Sequence, residues 1–158
     1  MAREERSAGF VIFRSVGEGG REYLLLDYGR HWDFAKGHVE KGENDLTTAL
    51  RELREETGIK DPRVIPGFQH EVTYFFKDRR KGLVRKRVVF FLGETATAPS
   101  DILLSREHEG FAFLPFDDAV KRLTFPTARQ ILRLAEQVAA AEQAEPHGDT
   151  LSKKPSAS

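Results

Sequence analysis

One segment, where glycines punctuate a dense set of acidic residues, constrains the chain more than any other. Gly37-His38-Val39-Glu40-Lys41-Gly42-Glu43 is followed closely by Arg51-Glu52-Leu53-Arg54-Glu55-Glu56-Thr57-Gly58-Ile59. Asn44 or Asp45 can cap a helix, Leu46, Ala49, Leu50 and Leu53 give it an apolar stripe, and Gly58 suits the position just past its end. The segment therefore reads as loop, helix and stop. At ~100° per residue, Glu55 and Glu56 project roughly 60° to one side and 40° to the other of Glu52. Three carboxylates then share a face lying off the buried stripe, and Arg51 points away from that face by one residue step. Like charges this close repel, so helix stability gives little reason for them. An acidic helix face by itself is ordinary solvated surface. Hard divalent cations such as Mg²⁺, however, take carboxylate oxygens and complete their shell with phosphate oxygens. With the glycines alongside, the pattern predicts a metal-dependent site acting on phosphates.

The rest of the chain predicts a frame for that helix. Phe10 to Phe13 and Tyr23 to Leu26 are short apolar runs, separated by the turn Gly17-Glu18-Gly19-Gly20. A loop covers His31 to Gly42. Val64 to Lys77 and Leu83 to Glu94 read as two long strands joined by a turn at Asp78-Arg79-Arg80-Lys81-Gly82. Phe111 to Leu114 reads as a further strand, Asp117 to Leu123 as a short helix, and Thr127 to Ala144 as an amphipathic terminal helix. Tyr74, Phe75 and Phe76 are expected mostly in the core. Lys86 and Arg87 alternate to opposite sheet faces, so at most one enters a cleft. Residues 1–144 form one α/β domain with a mixed sheet between helices, and 145–158, rich in Pro, Gly, Ser and Lys, are expected to be disordered.

Composition removes whole classes of function. The 158 residues hold no cysteine, which excludes disulfides, zinc–thiolate sites and thiol nucleophiles. Lys+Arg and Asp+Glu both number 25, so the basic excess typical of a protein gripping long nucleic acid is missing. A small ligand is favoured. The charged start Met1-Ala2-Arg3-Glu4-Glu5-Arg6 lacks the apolar core of a signal peptide, and no apolar run reaches the ~20 residues that span a bilayer. The expectation is a soluble cytoplasmic protein, monomeric or weakly dimeric.

Written as Gly-x5-Glu-x7-Arg-Glu-(apolar)-x-Glu-Glu-x-Gly-(apolar), the segment from Gly37 to Ile59 resembles the Nudix box of Nudix hydrolases, with every defined position filled. The resemblance implies the Nudix α/β/α sandwich and hydrolysis of a nucleoside diphosphate linked to another group, with Mg²⁺ or Mn²⁺ as cofactor. It makes Glu52, Glu55 and Glu56 metal ligands, with Glu52 alternatively the base that activates water. It adds the backbone carbonyl of Lys36 and a carboxylate from a later loop. Glu107, six residues before Phe113, is the candidate there, with Glu109 competing; Glu52 and Glu107 both remain possible general bases. Glu43 and Arg51 become a salt bridge pinning loop to helix, while Gly37, Gly42 and Gly58 meet backbone requirements. Tyr23-Leu24-Leu25-Leu26, His31 to Glu40 and Leu104-Ser105-Arg106-Glu107-His108-Glu109 are most similar to the asymmetric diadenosine tetraphosphate hydrolases, which release ATP and AMP. By position, that branch implies Tyr74 as the residue stacking on adenine, with His38 and Lys86 near phosphate; Lys36, beside His38, is a further candidate substrate contact. Ala35 stands where relatives commonly have Pro, and Phe113 where they have Trp; neither removes a ligand. Other Nudix substrates remain open: RNA 5′ ends, nucleoside triphosphates, nucleotide sugars or inositol pyrophosphates. So does a catalytically silent nucleotide-binding domain.

Overall fold

The computed structural model describes residues 2–144, and the expected tail from 145 onward falls outside the described residues. Alternation along β1 (Arg3–Val16) sets the layers. Ala8, Phe10 and Ile12 are buried on one face of the sheet and Val11 and Phe13 on the other, as period-two pleating requires. β2 (Gly20–Asp27) splits in the same way, Leu24 and Leu26 against Tyr23 and Leu25. Both faces of these strands are buried, which matches their nearly continuous apolar runs.

Seven strands form one mixed sheet among the described residues. β1 runs parallel to β6 (Gly82–Glu94) and antiparallel to β2, and β6 pairs antiparallel with β5 (Arg63–Asp78), which forms an edge. β7 (Gly110–Pro115) lies antiparallel along β2. Beyond the Phe13–Tyr23 pair, β1 and β2 diverge. β3 (Trp32–Asp33) pairs with β2 and β4 (Ala35–His38) with β1, so one short stretch of chain fills the opened wedge. That stretch was expected to be loop; it lacks the length and alternation that announce a strand, and its pairing is supplied by the two strands it enters.

Helix α1 (Asp45–Thr57) covers one face, packing Ala49 and Leu53 on Phe10, Ile12 and Leu24. Helices α2 (Phe116–Arg122) and α3 (Pro126–Ala144) cover the other through Ala119, Ile131, Leu132 and Ala135. The result is the expected α/β/α sandwich. Leu46, assigned to the α1 stripe, is instead 36% exposed, because it lies at the first turn, before the helix meets the sheet. Tyr74, Phe75 and Phe76 are not core either. Residues 73–77 are all exposed, since the hairpin end of the edge strand projects beyond the helical layers. No helix among the described residues is long and apolar enough to cross a membrane.

Candidate active site

Helix α1 is anchored at both ends by its own sequence. Asn44 adopts an extended conformation and its Oδ1 accepts the Thr47 N–H at 2.8 Å. Gly58 follows in the left-handed region at φ 79°, and its N–H donates to the Arg54 carbonyl at 2.8 Å. Between these caps the three glutamates part company. Glu55 is largely exposed, Glu52 mostly covered, and Glu56 only 5% exposed. The expectation that all three lie off the buried face therefore fails for Glu56. It turns toward β4, where its Oε1 accepts the Lys36 N–H at 3.2 Å. Glu52 lies directly over Gly37: any Cβ there would collide with its carboxylate, so this position of the Glu52 carboxylate depends on the glycine.

Electrostatics in this cluster follow from the crowding. Burial, reinforced by the hydrogen-bonded neighbour Glu52, raises the Glu56 pKa well above the ordinary carboxylate range. Arg51 does not point away from the carboxylates, because its long side chain curls back along the helix. Its Nε donates to Glu43 at 2.6 Å, its Nη2 to the His38 carbonyl at 3.0 Å, and its Nη1 to Glu52 at 2.9 Å and Glu55 at 3.1 Å. One guanidinium thus pins the loop, as expected of the Glu43–Arg51 pair, and also neutralises two of the candidate ligands. Glu43 accepts further from Thr48 Oγ1 and the Glu40 N–H, and Arg51 with these donors holds its pKa down at about 2.

Around these groups opens a polar cleft of about 640 Å³, walled by Glu52, Glu55, Glu56 and Glu107, and by Lys36, His38, Lys86 and Arg106. Acidic and basic side chains thus line the same cleft. Lys86 projects into it while its neighbour Arg87 sits 3.8 Å from Glu71, so the alternation expected of the pair holds. Burial, with the nearby Lys36 ammonium, lowers the Lys86 pKa. An anion between the two lysines would relieve both effects.

Lys36 also borders a second cleft of about 440 Å³ on the α3 side. This one is walled by Val72, Tyr74, Val88, Phe90, Phe125 and Ile131, with His31 and Asp33 as polar points. A file of rings runs from it to the acidic wall: Phe125 to His31 (centroids 5.1 Å), His31 stacked on Tyr28 (4.8 Å), and Tyr28 edge-on to His108 (4.5 Å). The Tyr28 hydroxyl donates to the Phe34 carbonyl at 2.7 Å, which fixes the ring between the clefts.

The structure therefore brings Lys36, His38, Glu52, Glu55, Glu56, Lys86 and Glu107 to one cleft and Tyr74 to its neighbour. Glu109 is not in the cleft wall; its N–H donates to the Asp27 carbonyl and its side chain lies beside Gly29. Gly42 and Gly58 both have positive φ, as a backbone requirement predicts. The acidic side chains do not converge on a point: among the described residues, no three carboxylate or imidazole groups gather closely enough to ligate one ion. Glu52 and Glu56 lie together, while the Arg51 guanidinium binds Glu52 and Glu55. Ser7, Tyr28 and Arg106 also line the polar cleft and Phe125 the apolar one, and sequence reasoning missed all four. Arg106 stands beside Glu107 and was findable, whereas Phe125 precedes a helix with no pattern to single it out.

The donors nevertheless suit a hard divalent cation. They are oxygen atoms without thiolates, and Glu56 is a buried carboxyl packed on a second carboxylate, an arrangement that positive charge would stabilise. The NUDIX domain family model matches residues 4–135. The asymmetrical bis(5′-nucleosyl)-tetraphosphatase of Mus musculus is 36% identical over 142 residues, covering 84% of this chain and 93% of the mouse protein. That of Caenorhabditis elegans is 34% identical over 132 residues, covering 81% and 91%. A solved structure of a C. elegans Ap4A hydrolase binary complex has a TM-score of 0.72 at 28% identity, covering 89% of this chain and 98% of that one.

Proposed function

The chain belongs to the Nudix family, and we propose that it hydrolyses diadenosine tetraphosphate to ATP and AMP with the help of Mg²⁺ or Mn²⁺. The observation that carries this reading is the meeting of two unlike clefts at Lys36. A polyphosphate chain needs a polar groove with cations on one wall, and a nucleoside needs an apolar slot with ring faces. A plain triphosphate-bearing substrate without a base would leave the second cleft unused. The tetraphosphatases similar to this chain over most of their length support the same substrate.

Glu52, Glu55, Glu56 and Glu107, with the Lys36 carbonyl, would hold the cation. Once bound, such an ion polarises phosphoryl oxygens and makes water a better nucleophile near neutral pH. The remaining work belongs to the side chains. Lys86, Lys36, His38 and Arg106 neutralise and align the phosphate chain. Tyr74 and Phe125 grip one adenine by stacking, worth ~1–3 kcal/mol per base. Glu52 or Glu107 accepts the proton of the attacking water as its oxygen bonds to phosphorus. The P–O bond of the anhydride breaks, and one phosphate stays on one adenosine and three on the other. Arg51 keeps Glu52 and Glu55 in place and holds the loop that carries His38.

A product assay decides between this and other substrates. Diadenosine tetraphosphate, ATP, ADP-ribose and triphosphorylated RNA are incubated separately with Mg²⁺ or Mn²⁺. ATP plus AMP should form from the first far faster than the others react. Equal turnover of RNA would replace the proposed substrate, and no turnover of any would make the domain a nucleotide binder.

A further inference from the structure

We propose that His108 is a positioning residue for Glu56, its Nε2–H holding Glu56 Oε1 so that the other oxygen faces the cation. The inference rests on the reading of Glu56 as a metal ligand. The His108 side chain is fully buried, and its Nε2 and Ser7 Oγ are the two buried side-chain polar atoms without a hydrogen-bond partner among the described residues. A buried donor left unpaired is costly, so such an atom calls for an explanation. Nε2 stands 4.0 Å from Glu56 Oε1.

The ring is held from its other sides. Tyr28 meets it edge-on, and its Nδ1 lies 2.9 Å from Ser105 Oγ. That hydroxyl oxygen accepts the Glu107 N–H at 3.3 Å, which leaves its own proton free to be donated to Nδ1. With the Ser105 hydroxyl donating to Nδ1, the ring proton sits on Nε2, the side facing Glu56, and this is the tautomer the proposal requires. Backbone contacts register the same loop on the same residue, since the Ser105 N–H donates to the Glu56 carbonyl at 3.1 Å. Glu56 Oε1 already accepts the Lys36 N–H. A second donor would saturate that oxygen and fix the rotation of the carboxylate. Hydrogen bonds at active sites are often long without substrate and tighten in the working complex, so 4.0 Å is within reach of a small rotamer adjustment. The role does not depend on charge, because the neutral tautomer and the imidazolium both donate from Nε2.

Outer hydrogen-bond partners of metal ligands typically change metal affinity by ~10–100-fold when removed. The test is Mn²⁺ titration followed by electron paramagnetic resonance on wild type, His108→Phe and His108→Gln. Phenylalanine keeps a ring against Tyr28 without an N–H, and glutamine returns a donor near Nε2. His108→Phe should raise the Mn²⁺ Kd by ~10–100-fold and lower kcat with KM little changed, while His108→Gln recovers most of both. In metal-free wild type, ¹⁵N NMR should show the Nε2–H tautomer. Unchanged Mn²⁺ affinity in a folded His108→Phe, or an Nδ1–H tautomer, overturns the assignment of His108 alone. If wild type binds no Mn²⁺, the metal reading of Glu56 falls first and this one with it. The tautomer is measured in wild type and so decides even if the phenylalanine variant does not fold.

Discussion

The polar and apolar clefts share Lys36, yet they are assembled in opposite ways. The polar cleft draws its carboxylates mainly from a single helix of 13 residues, whose spacing alone aligns Glu52 with Glu56. The apolar cleft gathers His31, Tyr74, Phe90 and Phe125 from four separate parts of the chain. Chemistry at phosphorus tolerates little displacement, and a short capped helix on a sheet fixes its side chains firmly. Base binding tolerates more, because any flat ring offers a π face. The difference predicts that substitutions in the first cleft reduce turnover and substitutions in the second weaken binding.

The largest effect should come from Glu56→Gln. An amide can no longer become the carboxylate that a cation needs, while size and burial are kept, so the fold should persist and kcat should fall by at least ~10³-fold, or ~4 kcal/mol of barrier. Near-normal turnover would remove Glu56 from the reaction and dissolve the contrast between the clefts. Gly37→Ala should come next. Its new methyl collides with the Glu52 carboxylate and must displace it, and misplacement by about 1 Å can cost ~10²-fold in rate. Full activity in that variant would show that the position of Glu52 is not critical.

Smaller, and of a different kind, is the outcome expected for Tyr74→Ala or Phe125→Ala. Stacking stabilises bound substrate and transition state alike, so KM for diadenosine tetraphosphate should rise ~5–150-fold with kcat nearly constant. A fall in kcat without a change in KM would mean that the apolar cleft takes part in chemistry, and the comparison would need redrawing.

What could be read from sequence divides along the same line. Helix α1, its caps and its glutamates were legible because their determinants are local: an Asn at one end, a Gly at the other and a period of 3.6 between. The burial of Glu56 was not legible. It depends on β4 entering the wedge between β1 and β2, a pairing that residues 35–38 do not encode by themselves. The reach of Arg51 was misjudged for a related reason: a residue's angle on the helix fixes where its Cβ points, not where a guanidinium several bonds away comes to rest. Long strands 64–77 and 83–94 were clear from their β-branched and aromatic content, but the exposure of Tyr74 to Phe76 depends on where the helical layers stop. Phe125 joins the site only through the path the chain takes before α3. Contacts close in sequence announce themselves, and those made by distant segments do not.

The smallest expected effect is one of pH, and it separates the clefts by what holds them together. Glu43 has its pKa lowered from an ordinary 4.5 to about 2, first by Arg51 and then by Thr48 and the Glu40 N–H. A carboxylate with a depressed folded-state pKa binds its proton later than the unfolded chain does. Its stabilising contribution is therefore complete above about 4.5 and disappears as pH falls toward about 2. Over that window the wild-type melting temperature should drop more steeply than that of Glu43→Gln, whose amide does not titrate. The same clasp restrains Glu52 and Glu55, so the backbone amides of residues 38–43 should broaden or shift in NMR spectra as acid loosens Arg51. Amides around Phe125 and Ile131, where the local hydrogen bonds among the described residues run to backbone carbonyls and the Thr124 hydroxyl and to no carboxylate, should change much less at the same pH. Equal acid sensitivity of the two regions, or parallel melting curves for the two proteins, would show that the loop over the polar cleft is held by something other than this ion pair.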